Sequence, residues 1–215
     1  MEKIKVGLIR VVTLMNDKLL NAHAHLLASK FKNLDIKTRF IPDQYEGIYD
    51  DETEKAAIPK IIKLAKEFED EGVDVVYISC AGDPGMEECR SSIKVPVIGA
   101  GSSCAAISCS LGGSVGIIGI TGEAPAVMTK ILGEKFSGYI KPEGVNTTLD
   151  LFVDEGRKNV LKAAGVLKEK GCDTIALACT GMSTINIHEE IKRNLKIRVV
   201  DPVLAAGLVI SYLQF

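Results

Sequence analysis

Two cysteines, Cys80 and Cys179, stand at the same offset in two similar stretches of the chain. Gly72-Val73-Asp74-Val75-Val76-Tyr77-Ile78-Ser79-Cys80-Ala81-Gly82 and Gly171-Cys172-Asp173-Thr174-Ile175-Ala176-Leu177-Ala178-Cys179-Thr180-Gly181 share one pattern. Each runs Gly, any residue, Asp, five mostly apolar residues, Cys, any residue, Gly. A free thiol titrates near pH ~8.5, so it serves as a base when ionised and as an acid when protonated. Reversing a stereocentre by proton transfer needs a base on one face of a carbon and an acid on the other, because a single group tends to return the proton to the side it came from. Two thiols meet that need symmetrically, provided one of them holds its thiolate more firmly. The backbone N–H groups of Cys80-Ala81-Gly82 and Cys179-Thr180-Gly181, with the helix N-termini that follow, are the natural stabilisers. Small residues after each cysteine let a ligand approach the main chain and favour a cradle for a carboxylate or an enolate-like oxygen.

The elements that position these thiols follow from the same stretches. Each reads as a helix-ending Gly, a buried parallel strand, and a thiol delivered at the strand's C-terminal edge, where open α/β sheets bind ligands. The surroundings repeat as well. Val6-Gly7-Leu8-Ile9 can be laid on Val115-Gly116-Ile117-Ile118, and Lys94–Gly99 on Lys196–Asp201, each pair being a strand in matching position. In the first half the pattern predicts a strand over 6–12, a helix from Asp17 to about Phe31 capped by Asn16, and a strand over 36–41. The acidic stretch 43–52 reads as a surface loop, with its tyrosines covering a site as the alternative. A helix ends at Gly72, and after the Cys80 strand come a helix over 86–91, a strand over 95–99 and a small-residue helix over 102–111. The second half predicts a strand over 114–121, a helix over 124–132, a long helix over 154–170, the Cys179 strand and a terminal helix over 203–213. Alternating strands and helices argue for parallel sheets with right-handed crossovers. The fold class is therefore α/β: two pseudo-symmetric flavodoxin-like lobes, each a parallel sheet flanked by helices, with the active site in the cleft between them. Residues 1–98 plus the terminal helix in 203–215 form the first lobe, with Cys80, and 99–202 the second, with Cys179.

Composition narrows the function class. At 215 residues the chain can bury a substantial core. A net charge of -2 gives no basic field for nucleic acid. No signal peptide or membrane span is read from the sequence, so a cytoplasmic protein is expected, and in that reducing compartment the six cysteines should be thiols. No Cys-x-x-Cys pair occurs, so no metal is expected, and Cys89, Cys104, Cys109 and Cys172 read as small core residues. No phosphate loop or dinucleotide fingerprint is present. His23 and His25, two apart on a helix, point to different faces and make no metal pair, and His188 reads as a surface residue. Arg10 either neutralises a carboxylate or sits in a structural ion pair.

Taken with these features, Ser79-Cys80-Ala81-Gly82-Asp83-Pro84-Gly85 and Ala178-Cys179-Thr180-Gly181-Met182 resemble the cofactor-independent Asp/Glu/hydantoin racemase superfamily, and the likeness spans nearly the whole chain. The Cys-x-Gly-Asp-Pro-Gly stretch is most similar to the hydantoin and allantoin racemase branch. Ala81-Gly82 stands where the amino-acid racemases usually carry Asn-Thr, and Thr13-Leu14-Met15 where the hydantoin branch shows Asn-Pro-Asn. The resemblance implies a racemase or epimerase working without pyridoxal phosphate or any other cofactor, with Cys80 and Cys179 as the two acid-base groups. It implies a small-molecule substrate, a hydantoin, allantoin or an amino acid, and a homo-oligomer with neither nucleic acid nor membrane as partner. By motif position Thr13 and Thr121 would hydrogen-bond substrate, beside Ala81, Gly82, Thr180 and Gly181. Asp83 either binds a substrate N–H or closes an ordinary turn, Thr180 either meets an anion or caps the next turn, and Met182 is a pocket wall. The alternatives are an aspartate or glutamate racemase, a related decarboxylase or cis-trans isomerase, a noncatalytic ligand-binding module, and a thiol-disulfide oxidoreductase.

Overall fold

In the computed structural model, which describes residues 2–214, the apolar runs become two separate parallel sheets. The first contains β1 (Ile4–Arg10), β2 (Leu34–Phe40), β3 (Val75–Ser79) and β4 (Val97–Gly99), in the order β2-β1-β3-β4. The second contains β5 (Val115–Ile118), β6 (Phe136–Ile140), β7 (Thr174–Leu177) and β8 (Arg198–Val200), in the matching order β6-β5-β7-β8. Parallel neighbours cannot be joined by tight turns, so helices make the crossovers and cover both faces. These are α1 (Asp17–Leu20), α2 (Ala22–Lys30), α3 (Asp51–Asp70), α4 (Met86–Ser92) and α5 (Ala100–Ser110) from the first half of the chain. From the second half come α6 (Ala126–Leu132), α7 (Asp154–Glu169), α8 (Thr180–Thr184), α9 (Ile187–Leu195) and α10 (Pro202–Tyr212).

Burial on both faces explains why the central strands are unbroken apolar runs. On one side of the first sheet Ile9, Val76 and Ile78 pack with Ile61, Ala65 and Phe68 of α3. On the other, Leu8 and Tyr77 meet Leu27 of α2 and Val203, Ala206 and Ile210 of α10. The second sheet packs Ile118, Ile175 and Leu177 against α7 and α9, and Ile117 and Ala176 against Cys104 and Ala105 of α5. Each half thus ends in a helix laid on the other half's sheet, α5 on the second and α10 on the first. Phe68 is completely buried over Gly7, where a Cβ would approach the ring to 2.5 Å. Truncating a ring buried like this costs about 3–5 kcal/mol.

Several boundaries differ from the sequence reading for local reasons. The helix expected over 17–31 is two, parted at Asn21, whose side chain donates to the Asp17 carbonyl. The acidic stretch is only partly a loop. Asp50 accepts from the Thr53 N–H at 2.8 Å while the Thr53 hydroxyl accepts from the Asp50 N–H, a capping box that starts α3 at Asp51. The edge strand β6 was not anticipated, because Ser137 and Gly138 interrupt its apolar pattern. His188 is buried, not at the surface, with Nδ1 3.1 Å from Asp201 and Nε2 3.2 Å from Glu189.

Candidate active site

Strands β3 and β7 hold equivalent places beside β1 and β5, so the cysteines that follow them emerge at the same edge of their sheets. Both line one cleft of about 870 Å³ between the two sheets, within the range of small-molecule sites. All six cysteines are free thiols, and Cys89, Cys104 and Cys172 are core residues. Cys80 is half-buried and leads into a turn before α4, whereas Cys179 is buried and directly caps the N-terminus of α8.

Burial pushes the Cys80 thiol up to about 12; the Gly82 N–H opposes this, while Cys179, Asp83 and Glu54 add to it. Burial also raises Cys179, but four groups favour its thiolate: the Gly181 N–H, the Thr148 hydroxyl, the Met182 N–H and Arg10. The Thr148 oxygen lies 3.9 Å from the sulfur. Arg10, the last residue of β1, is 5% exposed on the cleft wall and donates to the carbonyls of Leu19 and Leu20 at 2.8 and 3.1 Å. Burial lowers its pKa to about 10, with Tyr77 and Cys179 opposing, so it remains a cation at neutral pH. It has no carboxylate partner among the described residues. Of the two readings offered for Arg10, the structural ion pair is therefore ruled out among those residues. The lining also carries acids, Asp50, Asp51, Glu52 and Glu54, from the start of α3.

The structure sorts the remaining site residues by position. Ala81, Gly82, Thr121, Thr180 and Gly181 lie on the cleft wall. The Thr121 hydroxyl is turned to the Glu123 carbonyl at 2.7 Å, and the Thr180 hydroxyl donates to the Ser79 carbonyl at 3.1 Å. Three expected contacts are corrected. Thr13 is buried behind the wall, its hydroxyl donating to Ile41 and accepting from the Gln44 N–H, both at 2.8 Å, which pins the ends of β1 and β2. Asp83 is buried too, and its two oxygens accept from the Gly101 and Ser102 N–H groups at 2.7 Å each. It caps α5, whose own N-cap is the glycine Gly99, so it closes the structure from behind and is not on the cleft wall. A Cβ at Gly101 would collide with the Ala81 carbonyl, which is why glycine stands there. Met182 is fully buried in the second half's core and contributes its N–H, not a wall.

The sequence reading missed Thr148 and Glu54 in the wall; Tyr49 joins the wall, as the alternative reading of 43–52 allows, while Tyr45 faces solvent. It also missed His23, which is buried and reaches both halves. The capping pair Asp50 and Thr53 was a readable signal for Glu54 and Tyr49; His23 carried none, since its partners lie 56 to 161 residues away. Among the described residues no group of three or more His, Cys, Asp or Glu is placed to hold a metal, and no helix is long and apolar enough to cross a membrane.

A family model described as Asp/Glu/Hydantoin racemase matches residues 19–207. A hydantoin racemase of Pseudomonas sp. (strain NS671) is 28% identical over 173 residues, 76% of this chain and 66% of the relative, so the chain spans just under two thirds of that protein. A hydantoin racemase of Rhizobium meliloti is 24% identical over 198 residues, covering 89% of this chain and 78% of the relative. Among solved structures, the allantoin racemase from Klebsiella pneumoniae superposes with a TM-score of 0.84 at 21% identity, over 99% of this chain and 88% of the other. Glutamate racemase from Francisella tularensis superposes with a TM-score of 0.68 at 18% identity, over 100% and 82%. At such identities these structures establish the shared two-lobe fold.

Proposed function

The chain belongs to the Asp/Glu/hydantoin racemase family, and from that premise we propose that it inverts a carbon next to a carbonyl by two-base proton transfer between Cys179 and Cys80. One observation carries the reading: cysteines at equivalent positions of two like halves line a single cleft. In one direction the Cys179 thiolate removes the α-proton and becomes a thiol. The electron pair left on carbon delocalises into the carbonyl, and the Cys80 thiol returns a proton to the opposite face, becoming the thiolate. The roles exchange for the other enantiomer, or water re-equilibrates the pair.

Cys179 is the resting base in this scheme. The Gly181 and Met182 N–H groups, the Thr148 hydroxyl and the Arg10 charge all favour its ionised form, whereas Asp83 and Glu54 disfavour that of Cys80. A thiol kept up near 12 is an acid that stays loaded at neutral pH. The substrate class is a hydantoin-like ring, whose flanking carbonyls acidify the C–H and ask less of a cleft with no metal-ligating cluster among the described residues. The relatives named hydantoin racemase support that choice over free aspartate or glutamate. A cytoplasmic homo-oligomer goes with this reading, and light scattering of the purified protein checks the assembly. The decisive test is polarimetry with single enantiomers of 5-substituted hydantoins, allantoin, aspartate and glutamate. Loss of rotation with a hydantoin supports the proposal; loss only with aspartate or glutamate moves it to the amino-acid branch, and no loss with any of them contradicts it.

A further inference from the structure

At the junction of the two halves, behind the cleft wall, one buried imidazole ties together the segments that carry the two cysteines. His23 lies on α2 in the first half and is completely buried. Its Nδ1 is 2.8 Å from the hydroxyl of Ser79, the residue before Cys80. Its Nε2 is 3.0 Å from the carbonyl of Thr180, the residue after Cys179, and 2.9 Å from the Thr184 hydroxyl. The Thr180 hydroxyl donates to the Ser79 carbonyl at 3.1 Å, so the same two residues are also joined directly.

The partners decide where the proton sits. A carbonyl oxygen only accepts, so Nε2 carries the hydrogen and donates to Thr180; in the neutral ring Nδ1 must then accept, which turns the Ser79 hydroxyl toward it. The Ser79 oxygen is left to receive the hydroxyl of Tyr77, 3.2 Å away on the same strand. Burial, and then the nearby Arg10 charge, hold His23 well below the usual imidazole range, so the ring is neutral and this single arrangement persists. His23 is absent from the cleft wall, so it cannot itself exchange a proton with substrate.

We propose that His23 is the positioning residue that sets how Cys80 and Cys179 face each other, by clamping Ser79 and Thr180 to one ring. The idea rests on the two-base reading above and adds what keeps its two groups aligned across halves that share no sheet. Misalignment has a distinctive signature. One thiolate can still remove the α-proton, but with the opposite thiol out of reach it returns a solvent-derived proton to the same face, giving exchange without inversion.

The test compares the full-length protein with His23→Ala and His23→Gln in deuterated water, using a substrate that the wild type racemises. Two rates are read: deuterium entering recovered substrate, and inversion. In the wild type inversion is the faster. In His23→Ala inversion falls about 100-fold, the order expected of a misplacement near 1 Å, while exchange falls less, so their ratio rises at least about tenfold. His23→Gln, which restores one donor and one acceptor, lies between. If the substitution merely unfolds part of the sample, both rates fall together and the ratio stays at the wild-type value; that result overturns the clamp. An activity-independent reading separates failure of the clamp from failure of the racemase assignment. Amide hydrogen exchange in 79–83 and 179–184 should rise together in His23→Ala, and unchanged protection there overturns the clamp even if no substrate is ever turned over.

Discussion

The two cysteine-bearing segments are alike in the backbone and unlike in their electrostatics. Both follow a strand in the same sheet position, and both receive an N–H from the glycine two residues on. Beyond that they diverge. Cys80 opens onto a turn near the charges of Asp83 and Glu54; Cys179 caps a helix near the Thr148 hydroxyl and the Arg10 charge. On the proposed reading the like backbones address both faces of a carbon, and the unlike surroundings supply the bias between a loaded thiol and one nearer ionisation.

Removing either sulfur breaks the comparison most severely. Cys80→Ala and Cys179→Ala should each lower racemisation by about 10²–10⁴-fold, the usual worth of a general acid or base, as read by polarimetry. The bias predicts a difference between them: Cys80→Ala retains exchange of the α-proton in one enantiomer, and Cys179→Ala loses it more fully. Next in size is Arg10→Gln. Because burial raises the Cys179 thiol and Arg10 opposes that rise, kcat/KM should climb as pH rises through the Cys179 pKa, and losing the cation should shift that limb to higher pH. A shift of one unit corresponds to about tenfold at neutral pH. Thr148→Val removes a neutral contact to the same sulfur and should cost roughly 2- to 10-fold with the same direction of pH shift. Asp83→Ala should change stability before chemistry. Orphaning the Gly101 and Ser102 N–H groups costs about 1–3 kcal/mol, seen as a lower thermal midpoint by calorimetry, and losing one of the charges that raise the Cys80 thiol shifts the high-pH limb slightly down.

What could be read in advance follows the range of the forces involved. The paired cysteines, the central strands and the two-lobe plan rest on local runs and on self-similarity, which a single sequence displays. The start of α3 was hidden inside an acidic stretch, although those acids are what favours a helix N-terminus there. β6 was hidden because an edge strand needs less apolar material. Asp83 could not be resolved from Asp-Pro-Gly alone, since the deciding partners, Gly101 and Ser102, lie 18 and 19 residues on. His23 was read as one of two residues on different faces of a helix, which says nothing of a partner in the opposite half. Arg10 was weighed between a carboxylate and an ion pair, and only packing showed it buried on the cleft wall with no acidic partner among the described residues.

The central claim, that opposed thiols serve opposite faces of one carbon, is tested most directly by following early turnover of each pure enantiomer in deuterated water. The account predicts deuterium in the inverted product while recovered starting enantiomer keeps its protium, in both directions. Deuterium appearing equally fast in recovered substrate and product, from either enantiomer, would mean that a single group works on both faces and would contradict it.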